Sequence, residues 1–542
     1  MSEPISHQGM YQYAAITFSP VQGFIEKTRK LRDLYGASII LSYLSQSIVL
    51  EAKNIEAEVI SPGLVHIAKG MPNRILLRKK EGEFNPDELK QWVRETLLTG
   101  WKKICNLCKT WIEKKIPESN SKTFYHWDRD WDLWKNHTWE VFWGVGSNIV
   151  EAMEDLENNK LCRDWTGVNW IGESSSITGT DAIAWPGLGK GTRNPKHLKP
   201  GQEKQPIADF YKQLSTVLET KPGQSPDTID TPEGKFLAPN ERLSIPELVK
   251  RLITRDDIRK SLEKKIPHLE RFTDLVRKPD TDTGTPGQWT GWFMGDGDEV
   301  GKHLKKLASD PEGDKKISQF SEAMRNWGEQ FSTTFNPENI GRIIYAGGDD
   351  FLGVIYSKDP NQPISPSQAL DWLMKLPDEW KKHGENITLS VGFVWAGHGV
   401  PQRDILQHCR EAEKRSKSLG RKRLTLRVVF NSGQFVQWTC PWDHLSILKQ
   451  YRDRDGGKNW GHIYNDFAQL KARHAINFDS ATGKADYRLA RSLMNIYFDQ
   501  AGDDIFNNQK YIVDENDSSP IVYLNWVSDL IHVGWQLYSD VE

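Results

Sequence analysis

Two apolar runs, Arg342-Ile343-Ile344-Tyr345-Ala346 and Phe351-Leu352-Gly353-Val354-Ile355-Tyr356, enclose the tetrapeptide Gly347-Gly348-Asp349-Asp350. Strand-forming residues on either side of turn-tolerant ones predict a β-hairpin whose tip presents two adjacent carboxylates. Gly347 and Gly348 lack Cβ atoms, which leaves room for a phosphate beside the backbone, and paired carboxylate oxygens suit hard cations such as Mg²⁺ or Mn²⁺. An isolated tip of this composition is equally the sequence of an ordinary acidic turn. Its surroundings decide between the two.

Upstream, Trp292-Phe-Met-Gly-Asp296-Gly297-Asp298-Glu-Val-Gly-Lys302 reads as a short strand that ends in carboxylates and runs into a helix. Unpaired amides and the dipole at a helix start favour anions, so a triphosphate is expected just beyond Asp296, with Gly297 and Lys302 beside it. Asp298 has a competing job as the helix N-cap. A helix over Lys316–Thr333 leads into the hairpin; a helix over Pro366–His383, a strand over Ile387–Trp395, a helix over Gln402–Leu419 and a strand over Leu424–Phe430 follow. This βαββαβαβ-like order predicts one sheet with helices on one face, in which Asp296 and Asp349 become neighbours. Gly420 caps the last helix, and Lys417 and Arg421 project near its end as cations for phosphate.

The rest of the chain supplies the context. A length of 542 residues accommodates several domains, and Lys+Arg 71 against Asp+Glu 73 excludes a globally basic nucleic-acid binder, so any RNA contact is a local patch. No apolar run is long enough for a membrane span, Met1–Tyr11 lacks a signal-peptide layout, and five cysteines suit a reducing compartment, so a cytoplasmic protein is expected. Tyr13–Ser19 reads as a strand and Val21–Leu50 as a helix. Strands Ala57–Ile60 and Leu64–Ile67, joined by Ser61-Pro62-Gly63, make a second hairpin without tip carboxylates. Lys27, Arg29, Lys30 and Arg32 are expected on a solvated face, with RNA phosphates as the competing reading. Residues 85–139 form a Trp- and Lys-rich helical insertion containing Cys105 and Cys108. Structural zinc wants four ligands, and Cys162, Cys409 and Cys440 form no second pair, so a helical core is favoured over a mixed site with His126 and His137. The 22 tryptophans are expected in helix-packing cores or on subunit surfaces. A strand over Thr138–Gly144 and a helix over Ser147–Arg163 close the first α/β unit. Gly189-Lys190-Gly191-Thr192 lacks Walker A spacing and reads as a loop, while Ile207–Glu219 and Ile245–Leu275 read as helices. The expected domains are 1–163, a connecting region 164–288, a second α/β unit 289–439 and a helical region 440–542.

The second α/β unit resembles the palm shared by GGDEF diguanylate cyclases, nucleotidyl cyclases and polymerases, through Gly347-Gly348-Asp349-Asp350, the Asp296 strand end and Lys417-x-x-Gly420-Arg421. The whole chain more closely resembles the large Cmr-type palm subunit of type III-B CRISPR effector complexes. That likeness is carried by the opening Ile16-Thr-Phe-Ser-Pro-Val-Gln-Gly-Phe-Ile-Glu26, by Arg29-Lys-Leu-Arg-Asp-Leu-Tyr-Gly-Ala-Ser38, by the paired units, and by Asp-Asp rather than Asp-Glu-Phe at the hairpin. The resemblance implies an α+β multidomain fold with two ferredoxin-like, GGDEF-like palms, the first catalytically empty, plus helical insertions and a C-terminal helical domain.

It further implies a cyclic oligoadenylate synthetase that joins ATP when target RNA is recognised. Asp349 and Asp350 would be catalytic, and Asp296, Asp349 and Asp350 would hold two Mg²⁺ or Mn²⁺ ions. Gly347, Gly348, Gly297, Lys302, Lys417 and Arg421 would bind the nucleotide. Other Cmr-type subunits, CRISPR RNA and target RNA would be the partners. Many relatives begin with an HD nuclease domain; this chain opens on the first palm, so DNA cleavage is not expected of it. Ile171–Thr180 resembles a region where relatives carry a zinc Cys pair, here replaced by serine and threonine, which again disfavours zinc. A non-catalytic scaffold and a GGDEF-type dinucleotide cyclase are the alternative readings, and the residues leave the choice of ATP over GTP and the product ring size open.

Overall fold

A computed structural model describes residues 12–539 apart from 63–71, 120–123, 164–169, 191, 198–200, 202, 220–235, 239, 263–274, 280, 282–283, 336–339, 477–487, 500–504 and 506–519. The chain forms two compact units, one of residues 1–276, 301–328 and 344–348, the other of 277–300, 329–343 and 349–542. In chain order the first half runs β1 (Tyr13–Ser19), α1 (Val21–Glu26), α2 (Leu31–Glu51), β2 (Ala57–Ser61), β3 (Ile75–Lys79), α3 (Pro86–Lys115), α4 (Tyr125–His137), β4 (Glu140–Gly146), α5 (Ile149–Leu161), α6 (Lys204–Glu219), α7 (Ile245–Leu252) and α8 (Asp256–Arg259). Then come β5 (Thr290–Gly297), α9 (Val300–Ala308), α10 (Gly313–Thr334), β6 (Gly341–Ala346), β7 (Asp350–Ile355), α11 (Pro366–Leu373), α12 (Leu376–Trp380), β8 (Leu389–Ala396), α13 (Gln402–Ser418), β9 (Arg423–Val429) and β10 (Phe435–Pro441). Helices α14 (Ile447–Gln450), α15 (Gly461–Ala472), α16 (Arg488–Tyr497) and α17 (Pro520–Tyr538) follow. Among the described residues no helix is long and apolar enough to cross a membrane.

The first sheet has the order β2-β3-β1-β4 with antiparallel neighbours throughout. This is the order of a β-α-β-β-α-β ferredoxin-like unit. The second sheet, β10-β9-β8-β5-β7-β6, contains the same order in its β8-β5-β7-β6 part and adds β9, parallel to β8, and the antiparallel β10. The fold is therefore α+β and multidomain, as expected.

Strand periodicity assigns the faces of β1. Ala14, Ile16 and Phe18 enter the larger core, while Ala15 points the other way, into a cluster with Leu76, Phe142 and Leu156. Helix α5 lies directly on β4, because a Cβ at Gly144 would come within 2.1 Å of the Leu156 nitrogen. From that position Asp155 accepts a hydrogen bond from the Val145 amide at 2.9 Å, and the Asn159 amide donates to the Trp143 carbonyl at 2.8 Å, covering the outer edge of the sheet. Helix α3 is long because its ends are provided for: Asn85 accepts from the Asp87 and Glu88 amides, Pro86 opens the first turn, and Lys114 and Lys115 close the last. Its buried face carries Cys105 and Cys108, whose thiols burial pushes up, and Trp101, which packs edge-on against Trp139 at 5.7 Å. Cys105 and Cys108 are thus core residues, and His126 is buried in α4.

Of the basic cluster near the start, Lys30 is turned inward, which corrects the solvated-face reading at that position, while Lys27 and Arg29 keep 39% and 45% of their side chains exposed. Lys27 pairs with Asp181 at 2.7 Å, Lys30 is buried beside Glu241 at 3.7 Å, and Arg32 lies 4.4 Å over the Phe236 ring. At the centre, Arg251 forks onto Asp33 at 2.8 and 2.9 Å and reaches Glu241 at 2.6 Å, all three fully enclosed. Asp33 also accepts from the Arg29 and Lys30 amides, each at 3.0 Å, and so fixes the entry into α2. The Arg29–Ser38 segment is therefore constrained by burial, including Gly36, where a Cβ would overlap the Lys250 carbonyl oxygen at 1.7 Å.

In the second sheet, glycines and aromatics face each other across strands. A Cβ at Gly295 would strike the Phe351 ring at 2.2 Å and one at Gly353 would strike Phe293 at 2.2 Å, each ring lying over the glycine opposite it in register. Helix α13 crosses β8 with no clearance at Gly392, where a Cβ would sit 2.4 Å from both the Cys409 oxygen and the Glu413 nitrogen.

Other expectations are revised. The Val21–Leu50 helix is two, α1 and α2, separated at Lys27–Lys30, and the Pro366–His383 helix is broken into α11, α12 and a 3₁₀ turn over Lys381–His383. The Ile245 helix ends at Leu252 and resumes only over Asp256–Arg259, with 263–274 outside the described residues. The partner of β2 is Ile75–Lys79; the expected strand Leu64–Ile67 and Gly63 of the hairpin tip lie outside the described residues, as do Met1–Tyr11 and Gly191. Cys440 lies in strand β10, which ends at Pro441 and which the sequence reading did not anticipate.

Two outcomes are expected. The paired Asp33 carboxyl is held down to about 2, and Glu241 is also lowered, burial being outweighed by the Arg251 charge. Their folded-state values lie below the unfolded ones, so this stability is present above about pH 4 and is lost as the pH falls toward about 2. Circular dichroism against pH will show acid unfolding in that window, and Arg251→Met, which strands two buried carboxylates, will cost about 3–5 kcal/mol near neutral pH. Gly392→Ala will lower thermal stability by about 1–3 kcal/mol through overpacking, read by calorimetry.

Candidate functional site

Strand β5 sits between β7 and β8, and its register fixes the chemistry at its end. Asp296 lies opposite Asp350 on one side and Ser390 on the other. Directly opposed residues in an antiparallel pair bring their Cα atoms to about 4.5–5.5 Å. The Gly297 amide donates to the Asp349 carbonyl at 2.8 Å, which fixes the hairpin end against the end of β5. Acidic residues from two distant stretches of sequence thus meet at one corner of the second unit.

These carboxyls perturb one another. Crowding by surrounding protein, followed by the like charges of Asp349 and Asp296, pushes Asp350 up to about 7, although the residue retains exposed surface. Burial raises Asp296 by more than its lysine partner lowers it. That partner is Lys417, whose ammonium lies 2.7 Å from Asp296 and 2.7 Å from Glu413. Burial would lower the lysine pKa, but the two carboxylates together raise it. Burial also raises Glu413.

Helix α13 delivers Glu413 and Lys417 because they are four residues apart on one face. The close approach at Gly392 and the Ser416 hydroxyl, which donates to the Val391 carbonyl at 2.8 Å, leave the helix no play. Asp298 does a different job from the expected N-cap. Its carboxylate accepts from Ser390 at 2.6 Å, from Thr388 at 2.7 Å and from the Lys422 amide at 3.0 Å, while its own amide donates to the Thr388 carbonyl at 2.8 Å. It ties the end of β5 to the α13–β9 turn. In that turn Gly420, Arg421 and Lys422 have φ of 117°, 61° and 49°, a left-handed run that two non-glycine residues enter at a cost of order 1 kcal/mol each. Lys422 pairs with Asp443 at 2.7 Å, whereas the Arg421 side chain is exposed.

Of the residues singled out from sequence, Asp296, Asp350 and Lys417 converge, with Asp349 adjoining them and Arg421 on the braced turn. No described atom lies within 4 Å of where a Cβ of Gly348 would stand, so that glycine relieves no packing and leaves open space. Gly347, Gly348 and Lys302 are counted with the first compact unit. Glu413 was missed, though its i,i+4 spacing to Lys417 was a readable signal; nothing local signals Thr388 and Ser390. Among the described residues no group of three or more His, Cys, Asp or Glu side chains is already gathered as a metal centre. The donor set nevertheless fits a divalent cation: hard carboxylate oxygens crowd together until one is driven toward neutrality, an imbalance a cation would relieve.

Residues 290–425 match the family model described as Cas10/Cmr2, second palm domain, and residues 13–68 match that described as CRISPR-associated protein Cmr2, N-terminal. Both matched segments are similar to Cas10/Cmr2-type domains. Asp296, Asp349, Asp350, Glu413, Lys417 and Arg421 all fall inside the Cas10/Cmr2-type palm segment. No curated protein matches the chain. Among solved structures, the apo state of a type III-B Cmr-beta complex is similar at a TM-score of 0.56 with 12% identity, over 97% of this chain and 82% of that one. A Csm1–Csm4 cassette in complex with pppApA has a TM-score of 0.46 and 14% identity, over 98% of this chain and 70% of that one. Csm1 of T. onnurineus has a TM-score of 0.44 and 14% identity, over 97% and 70%.

The Asp350 shift gives a signed expectation. Its carboxyl is raised, so it gives up its proton at higher pH than an ordinary aspartate, between about pH 4 and about pH 7. Cation binding requires the deprotonated carboxylates, so stabilisation by Mn²⁺ grows over the same interval. Differential scanning fluorimetry will show a larger Mn²⁺-induced rise in Tm at about pH 8 than at about pH 5.

Proposed function

We propose that the chain is the Cas10/Cmr2-type subunit of a type III CRISPR effector complex, of the III-B kind, and that its second palm joins ATP into cyclic oligoadenylates when target RNA is bound. The observation that carries this reading is the in-register opposition of Asp296 and Asp350, with Asp349 adjoining and Lys417 at hand, inside the segment that matches the second palm. Asp296, Asp349 and Asp350 would hold two Mg²⁺ or Mn²⁺ ions. Bound there, the ions supply Lewis-acid activation of an acceptor 3′-hydroxyl and neutralise charge on the donor phosphates.

The remaining work falls to the chain itself. Lys417 and Arg421 bind the triphosphate and oppose the charge that builds on departing pyrophosphate. Asp298 keeps the turn that carries Arg421 fixed to the end of β5, so the cation is in place before the nucleotide arrives. Gly347 and Gly348 let phosphate approach the backbone, and Lys302 adds a cation beyond the strand end. Gly297 is not among the phosphate contacts: it is buried, and a Cβ there would meet Val300 at 2.9 Å and Trp380 at 3.2 Å, so its missing side chain serves packing. CRISPR RNA, target RNA and the other Cmr-type subunits are the partners, in keeping with the likeness to the III-B Cmr-beta fold.

The test is the assembled complex incubated with labelled ATP, Mg²⁺ and target RNA, with products read by mass spectrometry. The intact chain yields cyclic oligoadenylate and pyrophosphate, and Asp349→Ala with Asp350→Ala reduces synthesis by about 10³-fold or more while the complex still assembles. Undiminished synthesis by the double variant refutes the site. A complex that assembles on target RNA yet releases no pyrophosphate with the intact chain is a scaffold.

A further inference from the structure

Lys417 stands where a cation is wanted. Its ammonium is 2.7 Å from Asp296, the carboxylate that faces Asp350, and equally 2.7 Å from Glu413 one helical turn earlier on α13. Glu413 is the more enclosed of the two carboxylates, with 12% of its side chain exposed against 35% for Asp296. The helix is fixed by contact at Gly392 and by the Ser416 bond, so any exchange of partners is a movement of the lysine side chain, whose flexible four-carbon stem permits it.

We propose that Lys417 is a built-in occupant of the cation position at Asp296, and that Glu413 is the positioning residue that retains its ammonium when a divalent ion takes that carboxylate. The inference rests on the reading of Asp296, Asp349 and Asp350 as metal ligands and adds a regulation of that site. In the metal-free palm the lysine neutralises Asp296 and lessens the repulsion across the Asp296–Asp350 pair. An arriving ion competes with it. Once displaced, the ammonium stays paired to Glu413 instead of being stranded beside a dication, and it remains on the helix face from which it meets the phosphates of a nucleotide. Metal entry and presentation of the phosphate-binding lysine become one event, and Asp296 is not left bare between turnovers.

Simple electrostatics predicts that removing a positive charge strengthens cation binding and removing a negative one weakens it, so single variants do not suffice. The experiment is a double-mutant cycle on the full chain without nucleotide, with Mn²⁺ affinity read from the free-ion signal in electron paramagnetic resonance. Lys417→Gln is expected to bind Mn²⁺ on the order of tenfold more tightly, and Glu413→Gln on the order of tenfold more weakly. In the Lys417→Gln background the further change Glu413→Gln is expected to have little effect, because the ammonium that Glu413 retains is gone. Unchanged or weaker affinity in Lys417→Gln, or a Glu413 effect equal in both backgrounds, overturns the proposal. Absence of Mn²⁺ binding in every variant, the intact chain included, overturns the metal-site reading itself. Circular dichroism checks folding, and Lys417→Met replaces the glutamine variant where that one does not fold.

Discussion

The contact of α13 with β8 at Gly392 is the constraint on which the geometry of the second unit depends. A helix whose backbone touches a strand cannot rotate or slide without collision, so every side chain on its inner face has one address. Glu413, Ser416 and Lys417 sit on that face, and β5 next to β8 carries Asp296 to meet them. The absence of one methyl group at position 392 is thus transmitted through two strands to the placement of an ammonium beside a carboxylate. The aromatic rings of Phe351 and Phe293 perform the complementary task between β5 and β7, filling the space over Gly295 and Gly353 and so holding the register that opposes Asp296 to Asp350.

The two units treat clustered charge in opposite ways. Around Arg251 the guanidinium is matched by two carboxylates and backbone amides complete the coordination of Asp33, so the group is closed and no ligand is wanted. Around Asp350 like charges are set side by side: Asp296 faces it across the strands, and the ammonium that pairs with Asp296 is itself shared with Glu413. Saturation marks a structural element, whereas carboxylates that press on one another are the setting in which functional sites are found. The same accounting gives Lys30 a structural role, because it is buried beside Glu241.

Much of this was legible in the sequence. The hairpin, the strand that ends at Asp296 and the helix that ends in Lys417 follow from periodicity and turn chemistry, and the ferredoxin-like order of the second sheet follows from their succession. What stayed hidden depends on partners far away in the chain. Asp298 looks like an N-cap because its local sequence is that of one; Thr388, Ser390 and Lys422, which claim it, become neighbours only once β8 and β9 lie beside β5. A run of lysines and arginines reads as surface until Asp181 and Glu241 arrive from distant segments. Strand β10 was not separated from the end of the second unit, although its Phe435, Val436, Trp438 and Thr439 are strand-forming residues.

The way α5 seals β4 has a bearing on biogenesis. The helix follows its strand directly, and Asp155 and Asn159 supply the hydrogen bonds that another polypeptide would otherwise offer to that border. A nascent chain leaving the ribosome therefore carries its own guard for the border within a dozen or so residues of making it. At the opposite border β2 is irregular, with a shift in pairing between Val59 and Ser61, which makes it a poor template for a foreign strand. Protection against templated aggregation is written into the first unit locally, before the distant segments that complete it have been synthesised.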